Sequence, residues 1–160
     1  MMRHALGLLT GLLCAVSPAV HAAVICRVRT TPVRFGIYDP LSMSATLSTG
    51  TVVTTCRLRG RLATQVTVTS SLTAGSSGDY LNRTMRLGGN SLIYNLYLDA
   101  ADTQIAGDGT GGSSTASATL ALTLLNSRQR WRETLYGSMP ASQDAAPGTY
   151  TDSIVVTINY

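Results

Sequence analysis

The chain has 160 residues, which suggests one domain, and its formal net charge is +4. Only 12% of the residues are charged while 44% are hydrophobic, and the polar remainder is Ser, Thr, Asn and Gly rather than Pro, Glu and Lys. This composition excludes a disordered chain that is held open by its own charge. All 12 of its Lys or Arg residues are Arg, and the chain contains no Lys.

The N-terminal residues have the pattern of a secretory signal peptide. Arg3 supplies the positive start, an apolar stretch runs from 5 to 16, and 20–22 offers the small residues of a cleavage site. We therefore predict a signal peptide over residues 1–22 and one domain over residues 23–160. The apolar stretch is shorter than the roughly 20 residues that a transmembrane helix needs, so we interpret it as part of the leader and not as a membrane span. We also expect no membrane span in the protein that remains after the leader is removed.

Cleavage would leave an even pair of cysteines, because Cys14 departs with the leader. Cys26 and Cys56 would then lie in an oxidising compartment, and we predict that they are bonded to each other. Closing a loop of about 30 residues stabilises a fold by roughly 3–4 kcal/mol on the chain-entropy model.

The residues that remain argue against catalysis and against bound metals or cofactors. Both histidines also lie in the leader, so no His, Lys or free thiol is expected in the mature protein. This excludes the common nucleophile–base pairs and the His- or Cys-based zinc sites. Glu133 is the only Glu, and the Asp residues stand singly near turns. We predict no enzyme, no catalytic residue, no metal and no cofactor, and we interpret 107–112 as a loop because no Gly-Lys-Ser/Thr follows it.

After the leader, apolar and polar residues alternate with the two-residue period of β-strands. The apolar positions fall in six runs: Val24, Cys26, Val28; Val52, Thr54, Cys56, Leu58; Leu62 to Ser70; Leu92, Tyr94, Leu96, Leu98; Leu120, Leu122, Leu124; and Ile154, Val156, Ile158, Tyr160. Turn-forming clusters separate these runs, which predicts an antiparallel β-sandwich. Both cysteines fall on apolar faces, so we expect their bond to cross the core.

The chain also resembles a known family in the order and spacing of several short motifs. These are Phe35-Gly36-Ile37-Tyr38-Asp39-Pro40, Gly50-Thr51-Val52-Val53 before Cys56, Gly78-Asp79-Tyr80 with Arg83, Leu92 to Tyr97 with Asp99, Gly107-Asp108-Gly109, Tyr136-Gly137 and Gly148 to Asp152. In this respect it looks like the spore coat U domain family, whose members include subunits of archaic (Csu-type) chaperone–usher pili.

The resemblance implies an immunoglobulin-like sandwich that lacks its last strand and takes one from another molecule. The implied partners are a periplasmic chaperone, an outer-membrane usher and a neighbouring pilin subunit, and the implied route is the periplasm and then a surface fibre. Ile154, Val156 and Ile158 would line one wall of the acceptor groove, and the Tyr160 carboxylate would anchor the chaperone. The alternative is that these residues are ordinary core of a complete sandwich.

One departure from the family pattern concerns the N-terminal extension that a fibre subunit donates. Only residues 23–25 precede Cys26 after the predicted cleavage, whereas spanning a groove needs roughly ten residues at about 3.3 Å each. We therefore expect a subunit that accepts a strand without donating one, in a tip or accessory position.

Arginines form two stripes that suggest a second candidate function. Arg57, Arg59 and Arg61 share an outward strand face, with Arg27 and Arg29 expected across from them. Arg128, Arg130 and Arg132 form the other stripe, around Trp131. A single-domain adhesin, or a module that binds carbohydrate or another polyanion through the second stripe, is therefore the alternative function. A plain solvated face is the simpler interpretation, and no nucleic-acid partner is expected.

Overall fold

The computed structural model describes residues 23–160, so the predicted leader and its Cys14 lie outside the described residues. Eight strands make up the fold: β1 (Val24–Thr31), β2 (Thr46–Leu58), β3 (Thr64–Leu72), β4 (Arg83–Leu87), β5 (Asn90–Tyr97), β6 (Ala116–Leu122), β7 (Arg128–Met139) and β8 (Val156–Asn159). The only helical element of the described range is a 3₁₀ turn at Gly75–Ser77. The predicted all-β class is confirmed.

The strands form two antiparallel sheets that face each other. One sheet has five strands in the order β1-β2-β7-β5-β4, and the other has three in the order β6-β3-β8. Alternate side chains from both sheets meet between them in two apolar clusters. One cluster is built around Val52, Leu72, Leu92, Tyr94, Leu96, Leu135 and Met139, and the other around Cys56, Leu58, Val68, Leu120 and Leu122. The antiparallel β-sandwich predicted from the alternation is confirmed, as is the immunoglobulin-like form that the family resemblance implies.

Some strand predictions were wrong in extent, and two strands were not predicted at all. Leu62 and Leu124 lie outside β3 and β6 with their side chains exposed, and Tyr160 follows β8 and is also exposed. The alternation of the sequence did not reveal β4 or β7. The second omission matters most, because β7 is the central strand of the larger sheet.

The predicted disulfide is present, but it does not run between the two sheets. Cys26 and Cys56 are directly opposite each other on neighbouring strands β1 and β2, with their Cα atoms 4.0 Å apart. The expectation of a bond across the core was therefore wrong, because the two apolar faces belong to one sheet. The bond still faces the interior, where Cys56 packs with Leu58 and Val68.

Two glycines on the inner face of the larger sheet make room for the segment that follows β1. Gly50 of β2 is buried, and Gly137 of β7 lies one strand away near the same end. A Cβ atom at Gly137 would lie 2.6 Å from Val33 Cγ1 and 2.9 Å from Phe35 Cζ, and one at Gly50 would lie 2.8 Å from Val33 Cγ2. Val33 and Phe35 therefore occupy the volume that larger side chains would fill.

We expect Gly137→Ala to lower the free energy of unfolding by about 1–3 kcal/mol, because the added methyl group overlaps Val33 and Phe35 in a packed core. Urea denaturation of the protein followed by tryptophan fluorescence measures the change. Gly89→Ala is the matched control, since a Cβ there has no neighbour within 4 Å. Equal stability of the two variants would contradict the close packing described here.

Candidate functional site

A large apolar groove opens between the two sheets, because three strands cannot cover the inner face of five. Its volume is about 1330 Å³, and it lies between β1 of the larger sheet and β8 of the smaller one. Its apolar floor and walls include Val28, Val33, Phe35, Tyr38, Val52, Met85, Leu92, Tyr94, Leu96, Leu135, Met139, Tyr150, Ile154 and Val156. A second cleft, of about 480 Å³, is lined by residues such as Arg86 and Asp152.

The backbone edge beside the groove has no partner on one side within residues 23–160. β8 pairs with β3 from Leu72↔Val156 to Thr69↔Asn159, and no other described strand is hydrogen-bonded to it. A free strand edge next to an apolar groove offers what an extended peptide needs, namely backbone hydrogen bonds and pockets for alternate side chains. The same edge left bare is an aggregation hazard.

The residues that the sequence assigned to this site are not all in the groove. Ile154 and Val156 are half-buried and line it. Ile158 is not among the lining residues and packs against both core clusters instead. Tyr160 lies just beyond β8 with 57% of its side chain exposed.

Most of the groove floor was not identified from the sequence as part of a site. Phe35 and Tyr38 belong to one of the family motifs, yet the motif alone did not show that both rings enter the groove. Phe35 packs edge-on against Tyr94 with ring centroids 5.8 Å apart. Val28 on β1 is 40% exposed and lines the groove on the far side from β8. The sequence signal for the groove residues of β1 and β5 was their apolar–polar alternation. That alternation predicted their inward side chains as buried core and not as the lining of a groove.

A carboxylate holds the chain in place as it approaches β8. Asp152 Oδ2 accepts a hydrogen bond of 2.7 Å from the Tyr94 hydroxyl, and Oδ1 accepts bonds from the backbone amides of Ser76 and Ser153. Burial raises the pKa of Tyr94, and its bond to Asp152 raises it further, so the phenol stays a donor. These contacts fix the start of the segment that lines the groove.

A buried arginine ties together the loops around the larger core cluster. Arg83 is fully buried, and its guanidinium donates to Asn95 Oδ1 at 2.7 Å and to the carbonyl oxygens of Thr73 and Ala106. The guanidinium also lies over the Tyr80 ring, 5.2 Å from its centroid. Burial lowers the pKa of Arg83. This side chain, which belongs to one of the family motifs, thus has a structural role.

One acidic side chain in the core lacks a good hydrogen-bond partner among the described residues. Glu133 of β7 points inward and is 6% exposed, and neither carboxylate oxygen is bonded. The hydroxyls of Thr54 and Ser70, also buried, are unpartnered as well. Burial raises the pKa of Glu133, and the Ser70 hydroxyl, which is near the carboxylate without meeting hydrogen-bond geometry, offsets only part of that rise.

Asp99, Asp108 and the arginines of the two stripes are not among the residues that line the groove. Asp99 accepts bonds from the backbone of Thr103 and Gln104, and Asp108 from that of Thr110, so both act within their own turns.

Over residues 23–160, no three His, Cys, Asp or Glu side chains come together as they would around a metal ion. Among the described elements, no helix has the length and apolarity needed to cross a membrane. Arg128, Arg130 and Arg132 are exposed on the outward face of β7.

Comparisons with known proteins agree with this architecture. A family model described as Spore Coat Protein U domain matches residues 10–157. No curated protein matches the chain. Among solved structures, it is similar to the CsuC–CsuE chaperone–tip adhesion subunit pre-assembly complex from the archaic chaperone–usher Csu pili of Acinetobacter baumannii. The TM-score is 0.54 at 19% identity, and the match covers 86% of this chain and 40% of that one. The chain thus spans less than half the length of the chain it matches.

The buried carboxyl predicts how stability changes with pH. Because the folded state raises the pKa of Glu133, its neutral form is favoured in the fold, and that contribution is complete below the unfolded pKa near 4.5. It is lost as pH rises through the folded pKa, with a slope of up to about 1.4 kcal/mol per pH unit. We expect Glu133→Gln to remove this slope in urea titrations made from pH 4.5 upward.

Asp108→Asn is the control for the Glu133 titration. Hydrogen bonds from Thr110 lower the pKa of Asp108, so its contribution is complete above pH 3.8 and is lost only on further acidification. The Asp108 variant should keep the slope of the unsubstituted protein above pH 4.5. A slope that survives Glu133→Gln unchanged would contradict the assignment.

Proposed function

We propose that this chain, which belongs to the Spore Coat Protein U domain family, is a structural subunit of a bacterial surface fibre that accepts a β-strand from another molecule. The observation that carries the proposal is the open apolar groove beside the unpartnered edge of β8. An extended segment of alternating apolar residues would complete the smaller sheet through backbone hydrogen bonds. Its inward side chains would cover the exposed floor between Val28 and Val156.

The same groove has two occupants in succession in this proposal. A periplasmic chaperone fills it first, an outer-membrane usher receives the complex, and a segment of a neighbouring subunit then replaces the chaperone. The similar solved structure is a chaperone–subunit complex captured before assembly of a chaperone–usher pilus, which supports this order for the present chain. The Tyr160 carboxylate as the chaperone's anchor, and Ile158 as part of the acceptor wall, stay predictions carried over from the family.

A tip or accessory position belongs to the proposal as well. Val24 and Ile25 pair with Leu58 and Arg57 inside β1, so within residues 23–160 the segment before Cys26 is part of this protein's own sheet. The subunit thus accepts a strand and does not donate one from that segment. Its role is structural rather than enzymatic, and its route runs through the periplasm to the cell surface.

Disulfide trapping tests the groove directly. We expect Val156→Cys to form a mixed disulfide with a synthetic peptide of alternating apolar residues that carries one cysteine at a pocket-facing position, because Val156 lines the groove. Mass spectrometry under mild oxidation gives the yield and the register. The same peptide without cysteine should raise the melting temperature of the unsubstituted protein as its concentration increases.

The adjacent position supplies the control for the trapping experiment. Thr157 is exposed on the other face of β8, so Thr157→Cys should leave the pocket-facing peptide cysteine unreacted. A peptide with Asp at the alternate positions should neither bind nor stabilise. Equal trapping at both positions, or the absence of any peptide effect on melting, would count against strand acceptance.

Immunogold labelling of fibres tests the position in the assembly. If the chain accepts a strand without donating one, we expect an epitope-tagged copy to appear once per fibre, at its distal end. The control is the same tag on a subunit that occurs along the whole shaft. Regular labelling of shafts by the tagged chain would overturn the tip or accessory position while leaving strand acceptance intact.

A further inference from the structure

The outward faces of three neighbouring strands combine the two arginine stripes into one surface. β2 lies between β1 and β7, and the register aligns Arg27 with Thr55 and Arg130 in one row and Arg29 with Val53 and Arg132 in the next. Six exposed arginines form this surface, which we call the arginine face: Arg27, Arg29, Arg57, Arg128, Arg130 and Arg132. Arg59 and Arg61, predicted to share it, lie past the end of β2.

No acidic side chain interrupts the arginine face. β1 and β2 contain no Asp or Glu, and the only acid of β7, Glu133, points into the core. Residues 23–160 contain eleven arginines and eight acids, so the rest of the molecule has five arginines against those eight acids. The side-chain charge is therefore strongly positive on this face and net negative elsewhere.

The spacing of the arginines favours a linear anion over a compact one. Arg27 and Arg130 are two strands apart, about 10 Å, and successive arginines of β7 are two residues apart, about 7 Å. A small ion could contact only one or two guanidinium groups at these distances. A chain with repeating negative groups could contact several at once along β7.

The chemistry of the face favours carboxylates or sulfates on sugars over nucleic acid or lipid. Guanidinium groups bind such anions through two parallel hydrogen bonds. Trp131, the aromatic residue between the arginines of β7, points inward, so it offers no stacking platform among these arginines of the kind that single-stranded nucleic acid uses. The outward surface of this sheet also presents no amphipathic helix to insert into a bilayer.

We propose that the arginine face binds an anionic polysaccharide. This site lies on the opposite side of the larger sheet from the groove, so it is independent of the proposed strand acceptance. Occupation of the groove by a peptide should leave polysaccharide binding unchanged. The two proposals can therefore fail separately.

Calorimetric binding measurements with polygalacturonate and with heparin test the proposal in 0.15 M salt. We expect both to bind, with an affinity that falls as salt increases. We expect Arg130→Gln/Arg132→Gln to lower the affinity about tenfold or more, since it removes two neighbouring bidentate contacts. Both positions are exposed on the sheet surface, and a thermal melt shows whether each variant is folded.

Arg34→Gln/Arg86→Gln is the matched control, because it removes the same charge from exposed positions outside the face. We expect it to change the affinity less than about threefold, as surface charges beyond a Debye length are largely screened. An equal loss of affinity in both double variants would overturn the proposal, because it would show that binding depends on net charge alone and not on the arginine face. So would the absence of polysaccharide binding, or tighter binding of oligo(dT) or of phosphatidylglycerol vesicles.

Discussion

The structure depends on a mismatch of width between its two sheets. Five strands present an apolar inner face, and three strands cover only part of it. The chain covers some of the remainder with irregular segments: Val33 and Phe35 pack over two glycines, and Tyr150 and Ile154 lie along the opposite wall. What remains within residues 23–160 is a groove of about 1330 Å³ next to a strand edge that no described strand pairs with, so an apolar surface and a row of unpaired backbone groups lie side by side.

Sequence alternation predicted strands whose inward positions are mostly apolar, and it did not predict the central strand of the larger sheet. The inward positions of β7 are Gln129, Trp131, Glu133, Leu135, Gly137 and Met139. An amide, a carboxylate and a glycine in that series break the apolar pattern that identifies a half-buried strand. Each exception has a tertiary reason that a single strand cannot show. Gly137 is small because Val33 and Phe35 arrive from a distant segment, and Glu133 lies near the Ser70 hydroxyl of the opposite sheet.

The residues of the candidate site could also be predicted from the sequence only where they stand in a local alternation. Ile154 and Val156 stand in a local alternation, so their inward orientation could be read from the sequence. The rest of the groove comes from five other strands, β1, β2, β4, β5 and β7, and from the segment after β1. Which of these residues are left uncovered depends on how many strands each sheet contains. The pairing of Cys26 with Cys56 was predictable from their number, whereas the direction of the bond was not, since alternation does not say which strands are neighbours. The merging of two arginine stripes into one face depends on the same missing information, the order β1-β2-β7.

Because successive side chains of a strand point to opposite faces, β7 takes part in each of the two proposed interactions through a different face. Trp131 and Leu135 of β7 point toward the core, while Arg130 and Arg132 beside them point toward solvent. Strand acceptance would bury only the inner face, so a subunit attached to a fibre in this way would keep its arginine face exposed to solvent. Several such subunits held on one cell surface would meet a long polysaccharide at many points, and linked sites bind far more tightly than single ones without any new contact. A weak affinity of the isolated subunit is therefore compatible with firm attachment of the assembly, provided that neighbouring arginine faces can reach the same chain.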